Sequence, residues 1–65
     1  MQIILNGESR NCTAKTILEL ISELGYTDKR IAIELNGEIV PKSQHAITPL
    51  NEGDQLEIVV AVGGG

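Results

Sequence analysis

The sequence predicts a small α+β domain, a mixed sheet of four to five strands packed on one helix. Three observations point there. Aliphatic and polar residues alternate over short runs at 2–5, 31–35 and 55–60, the period of a half-buried strand. One stretch instead places Ile17, Leu20, Ile21 and Leu24 at the i, i+3, i+4, i+7 spacing of a helical stripe. Two Asn-Gly pairs, Asn6-Gly7 and Asn36-Gly37, stand where strand runs must reverse, and both residue types tolerate the positive φ of a type I′ turn.

Each element follows from its own residues. In the first strand Ile3 and Leu5 share one face while Gln2 and Ile4 take the other. The return strand, residues 8–13, is mostly polar and reads as a sheet edge, with Cys12 as its inward residue. Thr16 and Glu19 form a capping box around Ile17-Leu18, which starts the helix. Leu18 flanks the apolar stripe, Glu19 and Glu23 face outward, and Gly25 suits a left-handed C-terminal cap. So short a helix is marginal alone and must lie across a sheet. Residues 26–30 form a polar connection to a strand with Ile31, Ile33 and Leu35 on one face. The second Asn-Gly turns it into Glu38-Ile39-Val40, which Pro41 stops. Residues 42–50 have no clear period and read as a crossing loop with a short helical turn. After a turn at 51–54 comes the last strand, with Leu56, Ile58 and Val60 inward and Val59 and Ala61 outward. Its economical place is central, parallel to the first strand.

Composition narrows the function. The 65 residues suffice for one domain, and a domain of that size buries only about 60% of its unfolded-chain surface. We divide it into a domain over 1–60 and a flexible glycine tail over 61–65. A net charge of −4 argues against nucleic acid and anionic membranes, and one Tyr without Trp or Phe offers no base-stacking platform. One Cys and one His exclude an internal disulfide and a zinc site. The first residues lack the basic start of a signal peptide, and no apolar run approaches the ~20 residues of a membrane span, so the expected location is cytoplasmic. Cys12 reads as a small core hydrophobe rather than a sulfur acceptor. His45, in an irregular loop, reads as a surface residue. Glu52, Asp54 and Glu57 read as a solvated face that can also meet a basic patch on a partner.

The last residues, Ala61-Val62-Gly63-Gly64-Gly65, are the chemically distinctive stretch. Three consecutive glycines lose much backbone freedom on ordering and contribute no packing. The expectation is a thread ending in a glycine carboxylate, slender enough to enter a slot that excludes a methyl group. Extended, it would reach roughly 15 Å. By themselves the glycines fit an inert chain end equally well. Ile4, Val59, Ala61 and Val62 are the candidate docking residues, because a partner interface needs an apolar centre.

Taken together, several segments resemble the thiamin-biosynthesis sulfur carriers, a family of ubiquitin-like β-grasp proteins. They are Met1-Gln2-Ile3, Asn36-Gly37 with Val40-Pro41-Lys42, Glu52-Gly53-Asp54, and Glu57-Ile58-Val59 leading to the terminal glycines. The family often has an aromatic residue shortly after the Val-Pro-basic stretch, where this chain has His45. The resemblance implies a β-grasp fold and a carrier that is not itself an enzyme. It further implies that Gly65 is adenylated with ATP and Mg by an E1-like activating enzyme, the chain itself binding no cofactor. A persulfide donor would then convert it to a thiocarboxylate, used by thiazole synthase for the thiazole ring of thiamin. Gly63 and Gly64 would thread the partner's channel. Two other readings keep the same tail: the small subunit of molybdopterin synthase, and a ubiquitin-like modifier or interaction module.

Overall fold

Asn6 and Asn36 both hold positive φ, 51° and 52°, and Gly7 and Gly37 follow at 83° and 88°. These paired left-handed angles make type I′ turns, whose twist matches that of the strands they join. In the computed structural model, which describes residues 1–61, the first turn joins β1 (Gln2–Leu5) to β2 (Glu8–Asn11). The second joins β3 (Ile31–Leu35) to β4 (Glu38–Ile39). The remaining strand, β5 (Gln55–Val60), lies between the hairpins and gives the order β2-β1-β5-β3-β4. It runs parallel to β1 and antiparallel to β3, as the sequence predicts for a central last strand.

The one α-helix among the described residues, α1 (Ile17–Leu24), is bounded by the residues expected to bound it. Thr16 accepts the amide of Glu19 through its hydroxyl at 3.2 Å. The Glu19 carboxylate reaches one residue further back than a standard capping box, accepting from the amide of Lys15 at 2.8 Å. Gly25 closes the other end at φ 80°, with its own amide on Ser22 and that of Tyr26 on the Ile21 carbonyl at 2.9 Å. That pair of bonds is a Schellman motif, and it directs the chain into the connection leading to β3.

Two further helix donors are served from far away in sequence. A 3₁₀ turn over Lys42–Gln44 folds the 42–50 segment under the start of α1. The His45 carbonyl then accepts from Leu18 at 2.9 Å, and the Thr48 carbonyl from Ile17 at 3.1 Å. With Thr16 on Glu19, the first three helical amides all have acceptors, so the helix start is satisfied internally.

This folding corrects the sequence reading of His45. Its side chain is only 5% exposed, and Nε2 lies 3.1 Å from the Val40 carbonyl. A carbonyl can only accept, so Nε2 carries the proton. An aperiodic segment was expected to leave its histidine in solvent; docking under the helix buries it instead.

The core lies between α1 and the sheet. Ile3, Ile33, Leu56 and Ile58 come from the sheet, Ile17, Leu20 and Ile21 from the helix, and Cys12, Ala14 and Leu50 from the connections. Cys12 is 1% exposed and directs its Sγ to the Ala14 carbonyl at 3.8 Å, as a small core residue should. Among the described residues no helix is long and apolar enough to cross a membrane.

Candidate functional site at the root of the tail

The tail leaves from the end of the central strand. Ile31 of β3 is opposite Val60, and one step further the Ala61 amide donates to the Arg30 carbonyl at 2.8 Å. β3 therefore holds the chain in sheet geometry as far as Ala61. Val62, Gly63, Gly64 and Gly65 lie outside the described residues.

The outward face at this end is small and apolar. Val59 is 64% exposed and stands directly opposite Ala32 of β3, with Ala61 on the same face one alternation further. Moving back along β5, the next outward residue is Glu57, directly opposite Glu34. Like charges at directly opposed positions repel, so this pair keeps a concentrated negative potential at the middle of the outer face. Beside Glu34 across the other ladder stands Ile39, 77% exposed.

Of the four proposed docking residues, the structure brings Val59 and Ala61 together. Ile4 is set apart from them. It is level with Gln55, four residues before Val59, or about 13 Å along the sheet at strand rise. It is also only 36% exposed. Ala32, Glu34 and Ile39 complete the face and were missed in the sequence. Their alternation marks them as outward, but only the register of β3 against β5 places them beside Val59 and Glu57.

Two of the three acidic residues read as a solvated face are committed to structure. Both carboxylate oxygens of Glu52 accept from the Gln2 amide at 3.1 Å, which ties the turn before β5 to the start of β1. Asp54 accepts from the Asn51 amide at 2.7 Å and from the side-chain amide of Asn36 at 3.1 Å. Glu52 and Glu57 are exposed, as that reading expects, while Asp54 is half-buried.

The turn asparagines also brace β5 from both sides. The Asn6 amide still donates to the Leu56 carbonyl at 2.8 Å, and beyond it the Asn6 side chain continues the pairing. Its Oδ1 accepts from the Ile58 amide at 2.8 Å, and its Nδ2 donates to the Ile58 carbonyl at 3.2 Å. On the opposite side Asn36 Oδ1 accepts from the Gln55 amide at 3.0 Å. The strand that ends in the tail is thus fixed by two ladders and two side-chain amides.

Chemically, the described part of this site is a holder. Among the described residues no three His, Cys, Asp or Glu side chains gather as metal ligands would. Cys12 is sealed in the core, away from the tail root.

Comparison with known proteins agrees with this architecture. The ThiS family matches residues 3–65. The chain is 33% identical over 66 residues to the sulfur carrier protein ThiS of Escherichia coli, covering 100% of both chains. It is 48% identical over 66 residues to a thiazole synthase of Paramagnetospirillum magneticum; all of this chain aligns, and it spans only 20% of that protein's length. The crystal structure of the thiamine biosynthesis protein ThiS from Geobacter metallireducens superposes with a TM-score of 0.83 at 28% identity, covering 100% of each chain.

Proposed function

The chain belongs to the ThiS family of β-grasp sulfur carriers, and from that premise we propose that Gly65 is its working end, carrying sulfur as a thiocarboxylate for the thiazole ring of thiamin. The observation that carries this reading is a family match that runs through the glycines to residue 65. Residues 1–60 are the handle and 61–65 the arm.

The chemistry follows from the carboxylate. A terminal carboxylate is ionised at neutral pH and a poor electrophile. An E1-like enzyme, holding ATP and Mg, lets a carboxylate oxygen attack the α-phosphorus, and pyrophosphate leaves. The acyl-adenylate then meets the terminal sulfur of a persulfide, which bonds to the acyl carbon as AMP departs. A second thiol cleaves the S–S bond, leaving the thiocarboxylate on Gly65 and a disulfide on the donor side. Thiazole synthase is the recipient; the alignment of this whole chain with part of proteins of that name supports the pairing. All of this takes place in the cytoplasm, and the chain contributes no catalytic group.

Val59 and Ala61, with Ala32 beside them, form the apolar part of the face met by the activating enzyme. The Glu34–Glu57 pair draws a basic surface toward it, and Ile4 is a separate, more distant contact. Val62 continues in sequence toward the glycines. The test is intact-mass analysis of protein purified from cells. A species with sulfur replacing one oxygen at the C-terminus, present only when the activating enzyme is expressed, is the expected result. Isopeptide adducts instead would mark a modifier.

A further inference from the structure

A second surface lies on the helix side of the same end of the molecule. Leu18 and Ile21 of α1, Tyr26, Ile31 and the buried ring of His45 line a half-open groove of about 320 Å³. Its rim is charged in one sense. Lys29, Arg30 and Lys42 all line it, three of the chain's five basic residues, while none of its nine acidic residues does. Such a concentration in a chain of net charge −4 is a local inversion of the overall field.

The groove is coupled to the tail through the backbone. Arg30, on its rim, accepts the Ala61 amide through its carbonyl, and Ile31, in its wall, is the strand partner of Val60. Leu18 is a large apolar side chain left exposed in that wall, on a helix whose other outward residues include Glu19 and Glu23. The half-open shape cannot enclose most of a small molecule's surface as ligand cavities do. It does suit one side chain of a protein segment lying across it.

We propose that this groove docks an acidic segment of a protein partner, inserting one aliphatic or aromatic side chain between Leu18, Tyr26 and Ile31 while its carboxylates meet Lys29, Arg30 and Lys42. The partner is the activating enzyme that adenylates the tail; that identification, though not the groove's chemistry, rests on the carrier reading. Charge complementarity selects the segment and speeds encounter, and the apolar insertion holds it. The activating enzyme would then grip the carrier at two places either side of the tail root, the outer sheet face and this groove.

The experiment has two arms, both on the full chain. In the first, isotope-labelled protein is titrated with a blocked Asp-Glu-Leu-Glu-Asp peptide and followed by amide chemical shifts. The expected shifts concentrate at residues 27–31 and 42–46 and vanish in the Lys29→Glu, Arg30→Glu variant, whose folding is checked by thermal melting. Diffuse shifts, no shifts, or equal shifts from the Gln-Gln-Leu-Gln-Gln peptide or from inorganic phosphate overturn the proposal. In the second arm the activating enzyme's KM for the same variant should rise about tenfold at unchanged kcat, since the tail itself is untouched. An unchanged KM overturns the assignment of the groove to the activating enzyme. If wild-type protein is not adenylated at all, the carrier reading falls, while the peptide arm still decides the groove.

Discussion

The side-chain amide of Asn6 pairs with both main-chain groups of Ile58, accepting at 2.8 Å and donating at 3.2 Å, as a peptide unit of a neighbouring strand would. It extends the β1–β5 ladder past the point where β1 turns away. Replacing it by Gly keeps the left-handed turn accessible and removes only the amide. Asn6→Gly should therefore cost about 1–3 kcal/mol, the penalty for unpairing buried main-chain groups. Denaturant unfolding measures the loss, and faster hydrogen exchange at the Ile58 amide locates it. Unchanged exchange there would show that the bracing is unnecessary.

His45 gives a second stability prediction. Its ring is buried and its Nε2–H is held by the Val40 carbonyl. His45→Ala should cost at least about 1–3 kcal/mol by orphaning that carbonyl, with a further packing loss. A surface histidine would leave the melting temperature unchanged, so a simple melt separates the alternatives.

Cys12→Ser should also destabilise, by about 1–3 kcal/mol for a hydroxyl placed in an apolar site. Sulfuration of the tail should persist at temperatures where the variant is folded. A folded variant that cannot be sulfurated would give the thiol a chemical role.

Among the described residues every buried core residue precedes Ala61, so changes at the tail are expected to act apart from the core. Deleting Gly65 shortens the reach by about 3.3 Å, and a misplacement of 1 Å can cost about a hundredfold in rate. Appending one alanine removes the free glycine carboxylate altogether, and Gly64→Ala adds a methyl group to the thread. All three should depress ATP–pyrophosphate exchange by the activating enzyme severely while leaving thermal melts at the wild-type value. Near-normal exchange by the alanine-extended chain would remove Gly65 from the mechanism.

The outer face makes a graded prediction. Val59→Glu places a third carboxylate beside Glu34 and Glu57 and removes the apolar centre, so it should weaken adenylation strongly. Ile4→Glu, about 13 Å back along the sheet, should weaken it less. Equal effects would require a partner footprint covering both ends of β5.

Much of this was legible in the sequence because it depends on local chemistry. The two Asn-Gly turns, the Thr16–Glu19 cap, the Gly25 stop and the alternation of β5 are each decided by a few adjacent residues. Even the central position of β5 followed from the last strand's need for a partner and from the apolar face it shares with β1 toward the helix. What was not legible depends on residues distant in sequence. Nothing near His45 announces that its carbonyl will serve Leu18, because the acceptor and donor belong to segments far apart. The hydrogen bonds of Glu52 and Asp54 were hidden because Gln2 and Asn36 reach them only in the fold. Ala32 and Ile39 became part of the candidate site only through strand register.

The two hairpin turns also set how the molecule ages. In an Asn-Gly pair the glycine nitrogen can attack the asparagine side-chain carbonyl and expel ammonia, closing a succinimide that water opens to aspartate or isoaspartate. Here both side-chain amides are pinned by other partners, Asn6 on Ile58 and Asn36 on Gln55 and Asp54. Their damage should await unfolding, after which a carboxylate at Asn6 could no longer donate to Ile58, making the injury self-reinforcing. Peptide mapping of protein stored folded and stored in denaturant would show the clock running chiefly in the second sample.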